Sequence, residues 1–290
     1  MKSKVIAIGS GDFVIRCLSY LIPKVHISLV FITEKPQICH RLVSFCVKNN
    51  IKYLFVSSLK DNETFRIISD TEPDIIFSIN NFKIIPNNIV SIAKKGVINF
   101  HNSLLPKYAG LNPCSWAIIN NEDAHGVTWH FVEELIDGGD ILAQCSFDID
   151  ESDNAKSLII KSFKYGYKCF VENVDNWIDG PISSTPQSIS DIDYYSSKDK
   201  PDSEFISFDK KVEDINRLFR ACDFFPLPNL FFTPKVRIDN CVFSLNLVNS
   251  YTSGSNGAKV GEVIVVDDDT IKVQLSDGVA LFNLLPESSL

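Results

Sequence analysis

The sequence predicts an α/β fold with a parallel β-sheet in its N-terminal part and a small, mainly β module at its C-terminal end. Three observations support this prediction. Short apolar segments alternate with segments of helical periodicity from residue 5 onward, which is the pattern of β-α-β units. Residues 180–204 contain seven serines and three prolines with little periodicity, as linkers do. Strand-like segments then follow one another closely up to residue 284.

The N-terminal part is predicted to alternate strands and helices as far as residue 178. We predict strands at 5–8, 27–32, 53–56, 75–79, 96–101 and 127–132, and helices at 13–21, 36–48, from 112 onward and at 155–178. Asn112 and Pro113 begin a helix well, because Asn is favoured at the N-cap and Pro at the first helical position. This order of elements is typical of a Rossmann-like domain.

The C-terminal part is predicted to form one helix and a group of strands. Val212, Ile215, Leu218 and Phe219 lie at helical spacing and form one apolar stripe. Strands are predicted at 236–238, 241–247, 260–266, 271–275 and 279–284, with a hairpin turn at Asp277-Gly278. A chain of 290 residues, at roughly 150 residues per domain, fits two domains.

Composition and charge exclude several classes of protein. A hydrophobic share of 45% and a charged share of 22% are globular values. No apolar run approaches the ~20 residues that span a bilayer. The formal net charge of −8 argues against a broad nucleic-acid interface, which needs a basic face. Eight scattered cysteines without a C-x-x-C pair indicate reduced thiols, so we expect a cytoplasmic protein.

Asn99 and His101 are the first candidate catalytic pair. They end a predicted strand, and alternation puts both side chains on the same face. Ligands of open α/β sheets bind beyond the carboxyl ends of the strands. An amide donor beside an imidazole can stabilise an oxyanion and move a proton. The alternative interpretation is a polar pair that merely closes the strand.

Asp137 is the candidate partner of His101. It precedes two glycines, which let backbone approach a ligand closely, and it is suited to orient the imidazole. The alternative is an ordinary acidic turn. His125 and His130 with His101 lack the tight spacing of metal ligands, so we expect no metal. Ser103 with His101 and Asp137 resembles a hydrolase triad only in composition, since no G-x-S-x-G motif surrounds the serine.

A second function class comes from the glycines after the first predicted strand. Gly9 and Gly11 begin like a dinucleotide-binding motif, and Glu34 lies where an acid would bind the ribose. A nicotinamide-dependent reductase is therefore an alternative. Position 14 is Val, however, where that motif has a third glycine for close packing of the helix. We predict that the protein does not bind nicotinamide dinucleotides.

Four segments together resemble the formyltransferase family. They are residues 97–101 (V-I-N-F-H), residues 103–110 (S-L-L-P-K-Y-A-G), residues 125–128 (H-G-V-T) and residues 137–139 (D-G-G), and the aspartate follows the histidine by 36 positions. This family transfers a formyl group from 10-formyltetrahydrofolate to an amine. It includes glycinamide ribonucleotide, methionyl-tRNA and nucleotide-sugar formyltransferases. The resemblance covers about residues 73–145, and its order of motifs is highly specific.

The resemblance implies a catalytic triad, a cosubstrate and a domain division. Asn99, His101 and Asp137 match the catalytic residues of the family. The 10-formyltetrahydrofolate would be bound by Phe82, Ile84, Pro86 and Asp140. Residues 1–180 would be the formyltransferase catalytic domain, 181–204 the linker and 205–290 an accessory domain. Two features depart from the family. Residue 109 is alanine where related branches often have arginine, and residues 80–82 (N-N-F) replace a more apolar stretch.

The acceptor is predicted to be a small amine, first of all a nucleotide-linked amino sugar. Residues 201–290 hold eight basic and thirteen acidic side chains, whereas a tRNA acceptor favours a basic module. Acceptor contacts are predicted at Lys107, Tyr108, Asn112 and Trp116. A carrier-bound aminoacyl group or another small amine is the second choice. A folate- or nucleotide-binding module without turnover stays open as a function of a different class. A homodimer is a possible oligomeric state.

Overall fold

The computed structural model describes residues 2–203, 205–229, 231–238, 241–253, 258–267 and 269–286. The chain forms two compact units. Unit 1 consists of Met1–Gly110, Ala124–Asp148 and Ile160–Tyr194, and unit 2 of Leu111–Asp123, Ile149–Ile159 and Tyr195–Leu290. Each unit is therefore built from separate stretches of chain. The predicted domain boundaries at 180 and 205 stay a prediction. Among the described residues, no helix has the length and apolar character needed to cross a membrane.

The described elements confirm an α/β fold with a mainly β module at its C-terminal end. The strands are β1 (Lys4–Gly9), β2 (His26–Ile32), β3 (Tyr53–Phe55), β4 (Ile75–Ile79), β5 (Val97–His101), β6 (Ala109–Gly110), β7 (Ala124–Phe131), β8 (Ile141–Asp148), β9 (Tyr194–Tyr195), β10 (Lys235–Ile238), β11 (Cys241–Thr252), β12 (Val263–Asp267), β13 (Thr270–Gln274) and β14 (Gly278–Pro286). The α-helices are α1 (Gly11–Leu21), α2 (His40–Lys48), α3 (Asn62–Thr71), α4 (Asn87–Val90), α5 (Pro113–Ile119), α6 (Ala155–Asp179) and α7 (Val212–Cys222). Short 3₁₀ helices lie at Pro36–Ile38 and Ile189–Asp191.

Unit 1 contains a seven-stranded sheet in the order β3-β2-β1-β4-β5-β7-β8. The first five strands are parallel, as predicted. The prediction of a parallel sheet is wrong for the last two strands, because β7 pairs antiparallel with both β5 and β8. The sequence analysis missed β8, an edge strand whose residues are mostly half-buried or exposed and so carry a weak apolar pattern. It also missed α3.

An aromatic cluster packs β5 and β7 against α6. The ring of Trp129 lies 5.3 Å from that of Phe100 and 5.0 Å from that of Phe170, measured between centroids. Its indole N–H donates to the Gly166 carbonyl at 3.0 Å. A side chain at Gly166 would lie only 2.3 Å from the Phe100 ring, so glycine permits this close contact between helix and sheet. With Phe100 and Trp129 packed on this face, Asn99, His101 and His130 lie on the opposite face.

The serine- and proline-rich segment after α6 is joined to unit 1 by specific hydrogen bonds. Thr185 and Ile141 exchange two backbone hydrogen bonds of 2.8 Å, which form an antiparallel bridge. The Asp193 N–H donates to the Pro106 carbonyl at 3.1 Å, and the Ala109 N–H donates to the Asp193 carbonyl at 2.8 Å. The first half of the predicted linker therefore lies along the loops that carry the candidate site.

Unit 2 contains a five-stranded antiparallel sheet in the order β10-β11-β14-β13-β12. The predicted hairpin turn connects β13 to β14. Helix α7 buries Val212, Ile215 and Leu218 of the stripe expected from the sequence, and Phe219 is half-buried. Helix α5 begins at Pro113 after the N-cap Asn112, as predicted, although the Asn112 side chain makes no capping hydrogen bond. The Ser115 hydroxyl of α5 donates to the Ala221 carbonyl of α7 at 2.8 Å.

Candidate active site

The candidate site lies where β5 ends, between its two neighbours in the sheet. Asn99 is the register partner of Ser78 on β4 and of His130 on β7. Asn99 and His101 share one face of β5, because they are two positions apart. The sheet therefore brings the predicted pair and His130 together on one surface. His101 is buried, and Asn99 is half-buried.

Two acceptor groups face the two ring nitrogens of His101. Nε2 lies 2.8 Å from the carbonyl oxygen of Tyr108, and a carbonyl only accepts, so Nε2 carries a proton and donates. Nδ1 lies 3.4 Å from Oδ2 of Asp137. The doubly protonated ring donates to both groups, whereas a neutral ring would point a lone pair at the carboxylate. The ring of His101 therefore lies between a backbone carbonyl and a carboxylate.

The carboxylate of Asp137 lies between two histidines. Oδ2 accepts a hydrogen bond from the Gly110 backbone N–H at 2.8 Å. Oδ1 lies 3.6 Å from Nε2 of His130. The backbone of Asp137 is left-handed, with a φ of 54°, so it enters the Asp-Gly-Gly turn in a conformation that few side chains favour. The structure thus brings together all three predicted catalytic residues.

His130 is a buried, neutral imidazole. Burial lowers its pKa from 6.5 to about 4, the nearby Asp137 carboxylate opposes this shift, and His101 adds to it. Its Nδ1 donates to the Phe131 carbonyl at 2.7 Å, so Nε2 is left as an acceptor. Nε2 lies 3.1 Å from Nδ2 of Asn99 and accepts from that amide. This contact orients the Asn99 side chain with its amide nitrogen toward Nε2 of His130.

The loop after β5 is held by hydrogen bonds to β7 and β8. The Ser103 hydroxyl donates to the Lys107 carbonyl at 2.7 Å, and Thr128 donates from its hydroxyl to the Ser103 carbonyl at 2.7 Å. Gln144 on β8 donates to the Leu105 carbonyl at 2.8 Å. Since the nitrogens of His101 face Tyr108 and Asp137, Ser103 is not the partner of that imidazole. This arrangement does not support the hydrolase alternative.

The residues predicted to bind the folate lie on two loops of unit 1. Phe82 and Ile84 follow β4 and are 72% and 57% exposed, so both offer apolar surface on this loop. Asn81 anchors this loop, since its Nδ2 donates to the Ser78 hydroxyl at 3.2 Å. Pro86 is half-buried as the N-cap of α4. Asp140 accepts a hydrogen bond from the Ser184 hydroxyl at 2.7 Å.

The residues predicted to contact the acceptor divide into exposed and buried groups. Lys107 is exposed. Tyr108 is buried with a left-handed φ of 58°, and its carbonyl, rather than its ring, reaches the site through His101. Trp116 belongs to unit 2, where it is buried against Tyr195 at 4.3 Å between ring centroids. Packing accounts for the rings of Tyr108 and Trp116, so neither is an open stacking surface in this conformation.

Gly9, the last residue of β1, permits close packing against the neighbouring strand and helix. A side chain at Gly9 would lie 1.8 Å from the Ile79 carbonyl oxygen and 3.2 Å from the buried side chain of Val14. Glu34 accepts a hydrogen bond from the Cys39 thiol at 3.8 Å. Close strand packing thus explains Gly9 without a dinucleotide. Among the described residues, no group of three or more His, Cys, Asp or Glu side chains is arranged to hold a metal ion.

Gln187 is a residue of the site surroundings that the sequence analysis missed. Its side-chain Nε2 donates to the carbonyls of Asp137 and Gly139, at 2.9 and 2.6 Å. The residue lies in a segment without helical or strand periodicity, and its contacts are to backbone atoms. No pattern in the sequence therefore marked it.

Two family models match the chain. The formyl transferase model matches residues 24–174, and the formyl transferase C-terminal domain model matches residues 198–288. The methionyl-tRNA formyltransferase of Clostridium tetani is 28% identical over 96% of this chain and 90% of its own length. The methionyl-tRNA formyltransferase of Ehrlichia canis is 33% identical over 95% of this chain and 89% of its own length.

Solved structures of sugar N-formyltransferases have a similar fold. The sugar 3N-formyl transferase WlaRD, solved with dTDP and 5-N-formyl-THF, has a TM-score of 0.67 at 22% identity and covers 100% of both chains. The N-formyltransferase of Helicobacter canadensis, in complex with folinic acid and dTDP-3-aminofucose, has a TM-score of 0.65 at 22% identity over 98% of this chain and 99% of that chain. Together with the two matched family models, these findings show that the chain belongs to the formyl transferase family, whose members are enzymes that transfer formyl groups.

Proposed function

We propose that the site of unit 1 transfers a formyl group from 10-formyltetrahydrofolate to the amine of a small acceptor. The observation that carries this proposal is the placement of Asp137 3.4 Å from Nδ1 of His101, with Asn99 on the same face of β5. Family membership supplies the reaction class. The roles of the individual residues are part of the proposal.

Each residue of the triad has one task in this mechanism. The acceptor amine attacks the formyl carbon, and negative charge develops on the formyl oxygen. Asn99 and the imidazolium of His101 stabilise that charge with an N–H donor and a positive charge. Asp137 holds His101 and accepts, through a water molecule, the proton that the attacking amine loses. The folate nitrogen takes up a proton as it leaves.

The two loops flanking the site fit a folate in their chemistry. A pterin ring needs apolar walls and a few polar contacts. The exposed side chains of Phe82 and Ile84 offer apolar surface on the loop after β4. Leu135 and Ile136, which are 44% and 43% exposed, offer more on the loop that carries Asp137. In this proposal the first loop and Asp140 bind the cosubstrate.

A nucleotide-linked amino sugar is the proposed acceptor. Such a molecule carries about two negative charges on its diphosphate, and the exposed Lys107 offers a cation on the loop that bonds to His101. Residues 201–290 have a formal charge of −5, which disfavours a large polyanion. The Helicobacter canadensis enzyme, which shares this fold, is complexed with dTDP-3-aminofucose.

Methionyl-tRNA is the second candidate acceptor. The observation in its favour is that the curated relatives named methionyl-tRNA formyltransferases match across both units, with 28–33% identity. The acidic C-terminal module is the observation against it, because tRNA binding depends on contacts with phosphates. Salt should therefore weaken the binding of methionyl-tRNA more steeply than the binding of a nucleotide-linked sugar, because tRNA offers more phosphates to contact.

The test offers one donor and a panel of acceptors. The protein is incubated with 10-formyltetrahydrofolate and, separately, nucleoside-diphosphate amino sugars, methionyl-tRNA, aminoacylated carrier proteins and free amino acids. Mass spectrometry reads the gain of one formyl group. The Asp137→Asn variant serves as the matched control for background formylation. Formylation of the amino sugar alone supports the first candidate, and formylation of methionyl-tRNA alone replaces it with the second. If wild type and Asp137→Asn formylate every acceptor equally, the proposed site is wrong.

The location of the protein belongs to the same proposal. All eight cysteines are free, and five of them are buried. Free, buried thiols suit a reducing compartment, which supports a cytoplasmic protein. The folate-dependent reaction needs no oxidised cysteine.

A further inference from the structure

Gln187 joins the segment after α6 to the turn that carries Asp137. Its Nε2 donates to the Asp137 carbonyl at 2.9 Å and to the Gly139 carbonyl at 2.6 Å. We infer that Gln187 is a positioning residue, which acts through this turn to hold the Asp137 carboxylate beside His101. The inference rests on the proposed function, in which this carboxylate orients the histidine and accepts a proton.

The orientation of the Gln187 amide follows from its partners. Both partners are carbonyl oxygens, which only accept, so the nitrogen and not the oxygen of the amide must face them. Among the described residues the opposite amide atom, Oε1, is buried and has no hydrogen-bond partner. Native structures rarely leave such an atom unpaired, because the lost hydration is not recovered. Among the described residues, the hydrogen bonds of the Gln187 side chain are thus the two that its Nε2 donates.

The turn that Gln187 bridges needs external support. Asp137 has a left-handed φ of 54°, which is unfavourable for a residue with a side chain. A side chain at Gly139 would lie 2.1 Å from the Phe131 carbonyl oxygen, so this part of the turn lies directly against the end of β7. Gln187 contacts the carbonyls on either side of Gly138. One side chain therefore fixes both halves of the turn.

The segment that presents Gln187 is anchored on both sides of the residue. Thr185 bridges to Ile141 at the start of β8 through two hydrogen bonds of 2.8 Å. Asp193 accepts from the Ala109 N–H and donates to Pro106, next to the Tyr108 carbonyl that binds His101. The segment thus contacts the two loops that supply both hydrogen-bond partners of His101. Gln187 is its direct contact with the Asp137 turn.

The position of the carboxylate matters because three groups depend on it. Asp137 accepts from the Gly110 N–H at 2.8 Å and lies 3.4 Å and 3.6 Å from the two histidines. A misplacement of about 1 Å at a catalytic group lowers a rate by as much as about 100-fold. Loss of the Gln187 contacts releases the turn and should therefore reduce turnover more than binding.

The first experiment measures formyl transfer by Gln187→Met and Gln187→Glu. Methionine keeps the size of the side chain but removes both donors, and glutamate turns a negative oxygen toward two carbonyls. We expect kcat to fall about 10- to 100-fold in both variants, with KM for either substrate within about 3-fold of wild type. Ser188→Ala is the matched control, since this exposed neighbour contacts only Ser190 through its side chain among the described atoms. It should retain wild-type kcat.

A pH profile separates positioning from simple loss of structure. A protonated glutamate has an O–H that donates to a carbonyl, so the ratio of Gln187→Glu to wild-type kcat should rise as the pH falls from 8 to 6. The ratio for Gln187→Met should stay constant, because methionine does not titrate. If the ratio stays constant for both variants, and each variant loses kcat only to the extent that it loses thermal stability, the side chain is merely structural. This outcome overturns the inference.

The second experiment does not depend on formyl transfer. The Gly110 amide, which donates to Oδ2 of Asp137, is followed by NMR hydrogen exchange in the full chain. Gln187→Met should lower its protection at least about 10-fold, whereas Ser188→Ala should leave it unchanged. Unchanged protection in Gln187→Met overturns the positioning role. Lost protection in a protein that formylates no acceptor keeps the role and rejects the proposed function.

Discussion

Removing the imidazole of His130 should change how stability depends on pH. Burial lowers the pKa of His130 from 6.5 in the unfolded chain to about 4 in the folded protein. As the pH falls below 6.5, the unfolded chain binds a proton that the folded protein does not accept. The contribution of neutral His130 to the free energy of unfolding is therefore fully present above pH 6.5 and is lost as the pH falls toward 4. His130→Asn has no such group and should lack this loss.

The magnitude follows from the difference between the two pKa values. Each unit is worth about 1.4 kcal/mol, so the full loss is about 3 kcal/mol once the pH is below 4. Between pH 7 and pH 5 the same linkage gives roughly 2 kcal/mol. Wild type should therefore lose roughly 2 kcal/mol more of its unfolding free energy over this interval than His130→Asn does.

Urea unfolding at pH 7, 6 and 5, followed by tryptophan fluorescence, measures this difference. Trp129 lies next to His130 on β7 and reports on the same unit. Val127→Ala, a buried change on the same strand without a titratable group, is the matched control. It should lower stability equally at every pH. The reasoning is refuted if the curves of wild type and His130→Asn run parallel, or if the variant loses more stability than wild type on acidification.

The remaining predictions concern catalysis and binding. His101→Ala and Asp137→Ala should each lower kcat by about 10²-fold or more while the circular dichroism spectrum is kept, and equal activity in either variant contradicts the proposed triad. His130→Asn should reduce kcat less than His101→Asn, because His130 contacts Asn99 and is expected to act through it. The opposite ranking would show that the catalytic histidine is misassigned. Folates should raise the melting temperature and NAD(P)H should not. Stabilisation by NAD(P)H but not by folates would contradict this prediction and favour the reductase alternative. Lys107→Ala should raise KM for a nucleotide-linked sugar more than it lowers kcat, and an unchanged KM removes Lys107 from the acceptor site.

The elements with the clearest local pattern were predicted best. The strand at 75–79 was predicted to the residue, and the strand at 97–101 to within one residue, because each is a short, buried, apolar segment after a turn. The edge strand β8 was missed because only one of its faces meets the core and its residues alternate weakly. The antiparallel pairing of β7 depends on its partners in the sheet, and no local property of residues 124–131 determines that direction.

The candidate site was predictable only in part. Strand alternation puts Asn99 and His101 on one face, and the resemblance to the formyltransferases identified Asp137. The sequence assigned Tyr108 to the acceptor site, and in the structure its carbonyl contacts His101. Gln187 acts on carbonyls as well. Every residue has a carbonyl, so contacts of this kind leave no pattern of residue types.

The two histidines of the site show why residue type alone does not determine chemistry. His101 faces two acceptors, the Tyr108 carbonyl at 2.8 Å and the Asp137 carboxylate at 3.4 Å. His130 faces one carbonyl acceptor, the donor amide of Asn99 and, at 3.6 Å, the Asp137 carboxylate, yet burial lowers its pKa to about 4 and keeps it neutral. A charged His130 would share the single negative charge of Asp137 with His101. Because burial keeps His130 neutral, the proposed mechanism leaves the Asp137 carboxylate to hold His101.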